Sequence, residues 1–331
     1  MKDTVVVTLA DTLYLGYAKQ LFSAAFWNAG WQGDYLLLAH EANADDTRWF
    51  SEKGIIVKFC KALPIASDKK VDIILASKLY LFTDYFKQWK RVIFLDLDII
   101  IRGPIDGLCD VDGFGACTSL GSTLKDNLID FENIDPALLA EINSHFDLYR
   151  NAFNSGVMSF DSEIIGKSIF NELLNMFNKY IKVARYGDQL ILNLCFSKTY
   201  KEMLPVYNRI IEKSEYANIN PSHAEGIIIH TVSMGDGPWN PDNIFHDEWK
   251  NNFDKADHID LSHIPQVRPW SQKEIQQQSR KIVSEHFVGQ KFGKGKIFNS
   301  LSKVLHLITH DPKKAAVKIK QFIEASKTMR E

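Results

Sequence analysis

Short apolar runs alternate with amphipathic stretches along the first hundred residues. "TVVVTLA" (4–10) is continuous and β-branched, the pattern of a strand buried on both faces. "LGYAKQLFSAAFWNAG" follows with helical spacing and stops at Gly30. "DYLLLAH" predicts a second strand, "ADDTRWFSEKG" a short helix ended by Gly54, and "IIVKF" a third strand. "KKVDIILASKLYLFTDYFKQW" predicts one long helix, and "RVIFLD" a fourth strand. Strands that alternate with helices build βαβ units, so the expected fold is α/β with a mainly parallel sheet flanked by helices.

Beyond Gly103-Pro104 the alternation is less regular. "GFGACTS" predicts a strand, and "DPALLAEINSHFDLY" supplies a helical piece within a polar stretch. "GVMSF" predicts a strand entered through a turn at Asn154-Ser155-Gly156. "SIFNELLNMFNKYIKV" and "DQLILNLCF" are helical, and "KEMLP" and "GIIIH" are short strands. From Ser271 onward "KEIQQQSRKIVSEHF", "KIFNSLSKVLHLITH" and "PKKAAVKIKQFIEASKTM" predict three further helices. The expected organisation is a body over 1–270 and a basic helical extension over 271–331.

Charge supports that division. The extension holds thirteen Lys/Arg against five Asp/Glu, and the body carries the opposite excess, although the whole chain is only −2. Its apolar residues Ile297, Leu301, Val304, Leu305 and Ile308 fall on one helical face, so two readings stand: packing on the body, or peripheral contact with an anionic membrane surface. The apolar share of 45% suits a globular chain with a sizeable core. Four cysteines without a CxxC read as reduced core residues, not a zinc site or a disulfide framework. No apolar run reaches membrane-spanning length, and "MKDTVVVTLA" lacks a signal-peptide pattern, so a cytoplasmic chain is expected. Nothing points to nucleic acid as a partner.

One strand is chemically odd. "RVIFLDLDIII" places Asp96 and Asp98 around Leu97 inside an otherwise apolar run. Residues i and i+2 of a strand share a side, and the carboxyl end of a parallel strand opens on the crevice where α/β proteins bind ligands. Two carboxylates there repel unless a cation joins them, and Mg²⁺ or Mn²⁺ with a substrate phosphate suits oxygen ligands. Capping of the turn before Gly103 by one Asp is the plainer alternative.

Five motifs in order give that pair a context: "VVTLADTLYLGYAKQLFSA", "SKLYLFTDYFKQWKRVIFLDLDIII", "FNSGVMSF", "GDQLILN" and "HTVSMGDGPW". With them the chain resembles the glycogenin-like glycosyltransferases of family 8, which include bacterial lipooligosaccharide galactosyltransferases. The likeness runs from about Thr4 to Trp239. It implies a GT-A fold, with a Rossmann-like sheet, a nucleotide-diphosphate sugar donor (usually UDP-linked), Mn²⁺ or Mg²⁺, and retention at the anomeric carbon. Asp96 and Asp98 match the family's DxD, with Leu97 between them at the donor, and His230 matches the third metal ligand.

By the same resemblance Leu9, Ala10, Asp11 and Tyr14 border the nucleobase and ribose, and Lys78 faces the donor. Asn154 and Ser155 line the donor sugar, and Asp188 and Gln189 stand near the anomeric carbon. Asp188 alone would also serve as a helix N-cap. Gly235 would let backbone approach phosphate. The last motif departs from the family's H-x-x-G-x-x-K-P-W: the spacing from His230 is one residue longer, and Gly237 stands where the diphosphate-binding Lys belongs. Arg102, Lys78 and Arg185 are candidates for the missing charge.

The implied activity is transfer of a hexose-type sugar to a glycan or glycolipid acceptor, in surface polysaccharide or lipopolysaccharide synthesis. Retention admits a covalent intermediate on Asp188 or attack from the leaving-group face; the second is favoured, with Asp188 and Gln189 positioning the sugar. Two other classes are weighed. One is a sugar- or nucleotide-binding protein of the same fold with impaired catalysis, which the missing Lys supports. The other is a nucleotidyltransferase, which the lack of a Gly-rich basic loop after the first strand argues against.

Overall fold

The computed structural model describes residues 2–67, 69–232 and 236–286, with Lys313 and Ala316. The first strands and helices form as their patterns predict: β1 Lys2–Asp11, α1 Leu15–Trp27, β2 Asp34–His40, α2 Arg48–Glu52 and β3 Ile56–Cys60. Next come α3 Lys70–Ala76, β4 Trp89–Leu95 and the three-residue β5 Ile99–Ile101. The second half supplies β6 Phe114–Thr123, α4 Pro136–His145, β7 Asn151–Asp161, α5 Ile169–Tyr180 and α6 Asp188–Phe196. Three very short strands follow, β8 Lys201–Glu202, β9 Arg209–Ile210 and β10 Ile228–His230, then α7 His246–Asp254 and α8 Gln272–Ser284.

Seven strands form one sheet in the order β3-β2-β1-β4-β7-β6-β8. The β3, β2, β1 and β4 strands run parallel, while β7 lies antiparallel to both β4 and β6. A second sheet of three strands, β5-β10-β9, stands beside it. The fold is the expected mixed α/β GT-A architecture. Apolar layers cover both faces of the large sheet: Val5, Val7, Leu36 and Phe94 face one, and Val6, Leu37, Ile93 and Leu95 the other. The alternation along each strand follows from the two-residue period of the pleat.

Three local expectations are corrected. The long helix predicted from "KKVDIILASKLYLFTDYFKQW" is α3 followed by two 3₁₀ turns, Ser77–Phe82 and Asp84–Gln88. Thr83 is extended between them and its hydroxyl bonds the Tyr80 carbonyl, a local competitor to helix. Asn154-Ser155-Gly156 is not a turn but lies inside β7, all buried. Finally, the run around the acidic pair is not one strand. β4 ends at Leu95 and β5 starts at Ile99, so Asp96, Leu97 and Asp98 form the turn by which the chain crosses from the large sheet to the small one.

The first helix of the basic extension forms as α8. Ser271 and Glu274 make a reciprocal N-terminal cap, and Ile275 and Ile282 are buried in the apolar layer of the body. Gln278 accepts from the Gly226 backbone at 3.0 Å, and Lys281 pairs with Glu225. The helices predicted further along lie outside the described residues. Among the described residues no helix is long and apolar enough to cross a membrane.

Phe160 of β7 is fully buried and stacks on Phe82 at 5.1 Å, with Phe114 and Phe196 completing the cluster. Truncating such a ring loses its transfer energy and leaves a cavity, so Phe160→Ala should cost about 3–5 kcal/mol. Chemical denaturation measures this; a loss under ~1 kcal/mol contradicts the packing described.

Candidate functional site

The crossover turn is held at both ends by backbone. The Asp96 N–H donates to the Gly156 carbonyl at 2.8 Å, and the Thr231 N–H to the Asp98 carbonyl at 3.1 Å. In the small sheet His230, the last residue of β10, pairs with Ile99 of β5. Two strands that meet there bring Asp96, Asp98 and His230 together, with one ligand atom from each lying within 4.8 Å of the others. The His230 Nε2 is 3.0 Å from Asp98 Oδ1.

Gly156 makes room for this cluster. A Cβ there would lie 2.2 Å from His230 Cε1 and 2.8 Å from Asp96 Oδ2, distances no methyl group can occupy. The glycine that looked like a turn residue is a clearance between strand and cluster.

The charges are arranged as opposites. The Lys78 side chain is only 2% exposed, and its Nζ lies 2.9 Å from Asp96 Oδ1 and 3.1 Å from Asp188 Oδ2. Burial alone would lower the pKa of Lys78, but the Asp188 and Asp96 charges outweigh it and raise it. Burial raises Asp96, and the Asp98 charge adds to it, only partly offset by Lys78. Burial also works to raise Asp98, but the His230 charge and hydrogen bond more than offset it, so Asp98 is lowered. His230 is raised: burial opposes its protonation, and Asp98 overcomes that. Two carboxylates and an imidazole that need cations to coexist are a donor set suited to a hard divalent ion.

Asp188, Gln189, Asn154 and Ser155, named from sequence, sit beside this cluster. Asp188 opens α6 after Gly187, but its side chain does not cap the helix; Oδ2 accepts from Ser155 Oγ at 2.9 Å and pairs with Lys78. Gln189 Oε1 accepts from Asn154 Nδ2 at 3.0 Å and from the Ser155 N–H at 3.3 Å. Leu9 and Ala10 are buried at the end of β1, which is tied to the end of β4 by Thr8 Oγ1 donating to the Leu95 carbonyl at 2.8 Å. Asp11 accepts from the backbone of Leu13 and Tyr14 and pairs with Lys70 at 3.4 Å. Leu97 is half-buried against the apolar layer.

The first and last motifs meet through rings. Trp239 stacks on Tyr17 at 4.1 Å, and Tyr14 sets its edge toward both. Gly235 lies outside the described residues. A Cβ on Gly237 would lie 2.4 Å from the Trp239 ring, so this loop has no room for the Lys of relatives without moving Trp239. Of the replacement cations considered, Arg102 is taken up by Glu248 and the carbonyls of Pro221 and Ala224, and Arg185 donates to the Leu128 carbonyl. Lys78 alone touches the cluster.

Sequence reasoning missed Asn127 and Asn208. Asn208 bridges Asn154 and His230, and Asn127 holds Gln189. Neither belongs to one of the five motifs, and their partners are far away along the chain.

The family model for "Glycosyl transferase family 8" matches residues 43–243, which include the cluster and its supports. The chain belongs to glycosyl transferase family 8. Two curated relatives from Streptococcus pneumoniae serotype 4 (strain TIGR4) are similar to this family 8 chain: the glycosyltransferase GlyB, 27% identical over 144 residues, and the glycosyltransferase GlyF, 27% identical over 174 residues. The matches cover 43% and 50% of this chain, but only 30% and 38% of those relatives' lengths. Among solved structures, the galactosyltransferase LgtC in complex with donor and acceptor sugar analogs superposes with a TM-score of 0.53 at 18% identity, covering 80% of this chain and 97% of that one. The glycosyltransferase GlyE of Streptococcus pneumoniae TIGR4 gives 0.55 at 19%, covering 78% and 63%. These structural likenesses show the fold.

Lys78→Met removes the one cation between two carboxylates. Leaving Asp188 buried without its partner should cost about 3–5 kcal/mol, read from denaturant midpoints. Unchanged stability would mean that the pair is not held as described.

Proposed function

We propose that this protein transfers a hexose-type sugar from a nucleotide-diphosphate donor, UDP-linked, to a glycan or glycolipid acceptor with retention at the anomeric carbon. The observation that carries the reading is the convergence of Asp96, Asp98 and His230 beside the Lys78–Asp188 pair, in a chain of family 8.

Asp96, Asp98 and His230 would hold Mn²⁺ or Mg²⁺, and their donor set fits it: two carboxylate oxygens and an imidazole nitrogen that converge around a glycine clearance. The bound ion supplies Lewis-acid stabilisation of the charge that develops on the departing diphosphate. Leu9, Ala10, Asp11 and Tyr14 border the base and ribose, and Leu97 provides backbone near the phosphates. No Lys follows His230 in the loop, so more of the charge neutralisation would fall on the ion that Asp96, Asp98 and His230 would hold than in relatives that carry that Lys.

The sugar lies along Asn154, Ser155, Asp188 and Gln189. Lys78 and Ser155 both engage Oδ2 of Asp188, which leaves Oδ1 to accept from a sugar hydroxyl. A carboxylate whose charge is already shared with a buried ammonium and a hydroxyl is a weak nucleophile. Attack from the leaving-group face follows, with Asp188 and Gln189 positioning the oxocarbenium-like sugar. The body over 1–270 carries this chemistry. The basic extension over 271–331 would bring a cytoplasmic enzyme to the inner membrane surface, where a lipid-linked acceptor of lipopolysaccharide or a surface polysaccharide is found.

Incubation with Mn²⁺ and a panel of nucleotide sugars, with acceptor extracts, should release free nucleoside diphosphate from one donor. Asp98→Asn should lower that rate by roughly 100-fold or more, as losing one element of charge stabilisation does. Turnover that persists in EDTA contradicts the metal assignment. Tight nucleotide-sugar binding without turnover for any donor would favour a binding protein of the same fold.

A further inference from the structure

The polar side chains behind the cluster form one directed chain. The Thr123 carbonyl can only accept, so Asn127 turns its Nδ2 toward it at 3.3 Å. Asn127 Oδ1 then accepts from Gln189 Nε2 at 2.7 Å. Gln189 Oε1 faces Asn154 Nδ2 and the Ser155 backbone N–H, a group that can only donate. Asn154 Oδ1 accepts from the Gly156 N–H at 2.9 Å and from Asn208 Nδ2 at 3.0 Å. Asn208 Oδ1 is thereby left facing His230 Nδ1, also at 3.0 Å.

None of these amides can flip without setting oxygen against oxygen or N–H against N–H: Asn127, Gln189 and Asn154 are fixed by backbone groups, and Asn208 by Asn154 Oδ1. A carbonyl oxygen cannot donate, so His230 Nδ1 carries a proton; Nε2, 3.0 Å from Asp98 Oδ1, carries the second proton, the one a divalent ion would displace. All four amides are buried, Asn127 fully and Gln189 to within 9% exposure, so water does not scramble the order.

We propose that Asn208 is a positioning residue that keeps the proton on His230 Nδ1 and so presents Nε2 to the divalent ion, and that the relay through Asn154, Gln189 and Asn127 ties this orientation to the sugar pocket. The inference rests on the reading of Asp96, Asp98 and His230 as a metal site. An imidazole in the opposite tautomer would aim an N–H at the ion and could not ligate it. The relay also gives Gln189 and Asn154 a second role. Both carry the polarity of the backbone from β7 and α6 across to β10, so their side chains are fixed before a sugar arrives.

The test uses the full chain and two readouts. Calorimetry with Mn²⁺ alone should show binding by the wild type, and Asn208→Leu should weaken it roughly 10–100-fold, the usual effect of losing the partner of a metal-bound histidine. Asn208→Asp keeps an acceptor toward Nδ1 but loses the donor to Asn154 Oδ1, so it should bind Mn²⁺ more tightly than Asn208→Leu. Equal affinity of a folded Asn208→Leu protein overturns the proposal. Nitrogen-15 spectra of the His230 ring in the metal-free wild type give the second readout, and they hold even where the leucine variant does not fold. Once the ring is titrated to its neutral form, a remaining proton on Nδ1 supports the relay; a bare Nδ1 overturns it. Failure of the wild type to bind Mn²⁺ contradicts the metal reading itself, and the ring spectrum then decides the relay separately.

Discussion

Three carboxylates in one crevice constrain everything around them. Asp96 and Asp98 lie in the turn between β4 and β5 and Asp188 opens α6, and the interior offers Lys78 and His230 as counter-charges. Each cation is committed to a definite pair of partners. Lys78 joins the carboxylate at the crossover turn to the one that opens α6, and His230 joins Asp98 to the amides behind it. Lys78 therefore fixes the spacing between Asp96 in the crossover turn and Asp188 at the start of α6. Its own burial would be too costly if either acid were absent.

The position of the site follows from the sheet change. A strand that continued past Leu95 would have placed Asp96 and Asp98 on one face of the large sheet, with His230 elsewhere. Instead the chain leaves the large sheet at Asp96 and enters the small one at Ile99, and β10 pairs beside it. The cluster stands where two sheets meet and β7 passes closely behind it. A close approach of that kind requires a residue without a side chain, and Gly156 supplies it. Beyond His230, Trp239 stacks on Tyr17 of α1.

Much of this was legible in the sequence, for physical reasons. Short continuous apolar runs such as "TVVVTLA" and "DYLLLAH" read as strands buried on both faces, and β1 and β2 fall on them. Asp96, Asp98, His230, Lys78, Asn154, Ser155, Asp188 and Gln189, which lie in the five motifs, stand together in the fold. The small sheet was illegible as a sheet because strands of two and three residues carry no period. Asn154-Ser155-Gly156 looked like a turn because those residue types usually satisfy themselves locally; here Gln189 and Asp188 satisfy them from another element. Asn208 and Asn127 had no signal at all, since an amide reveals its role only when its partners across the fold are known.

The central claim is that Asp96, Asp98 and His230 hold a divalent ion that carries a nucleotide's diphosphate. Crystals grown with Mn²⁺ and UDP, with diffraction recorded on either side of the manganese absorption edge, test it most directly. An anomalous peak bounded by the two carboxylates and His230 Nε2, with phosphate oxygens on its open side, is the predicted result. Ordered UDP with no manganese at that cluster, or manganese bound to other residues, would contradict the account.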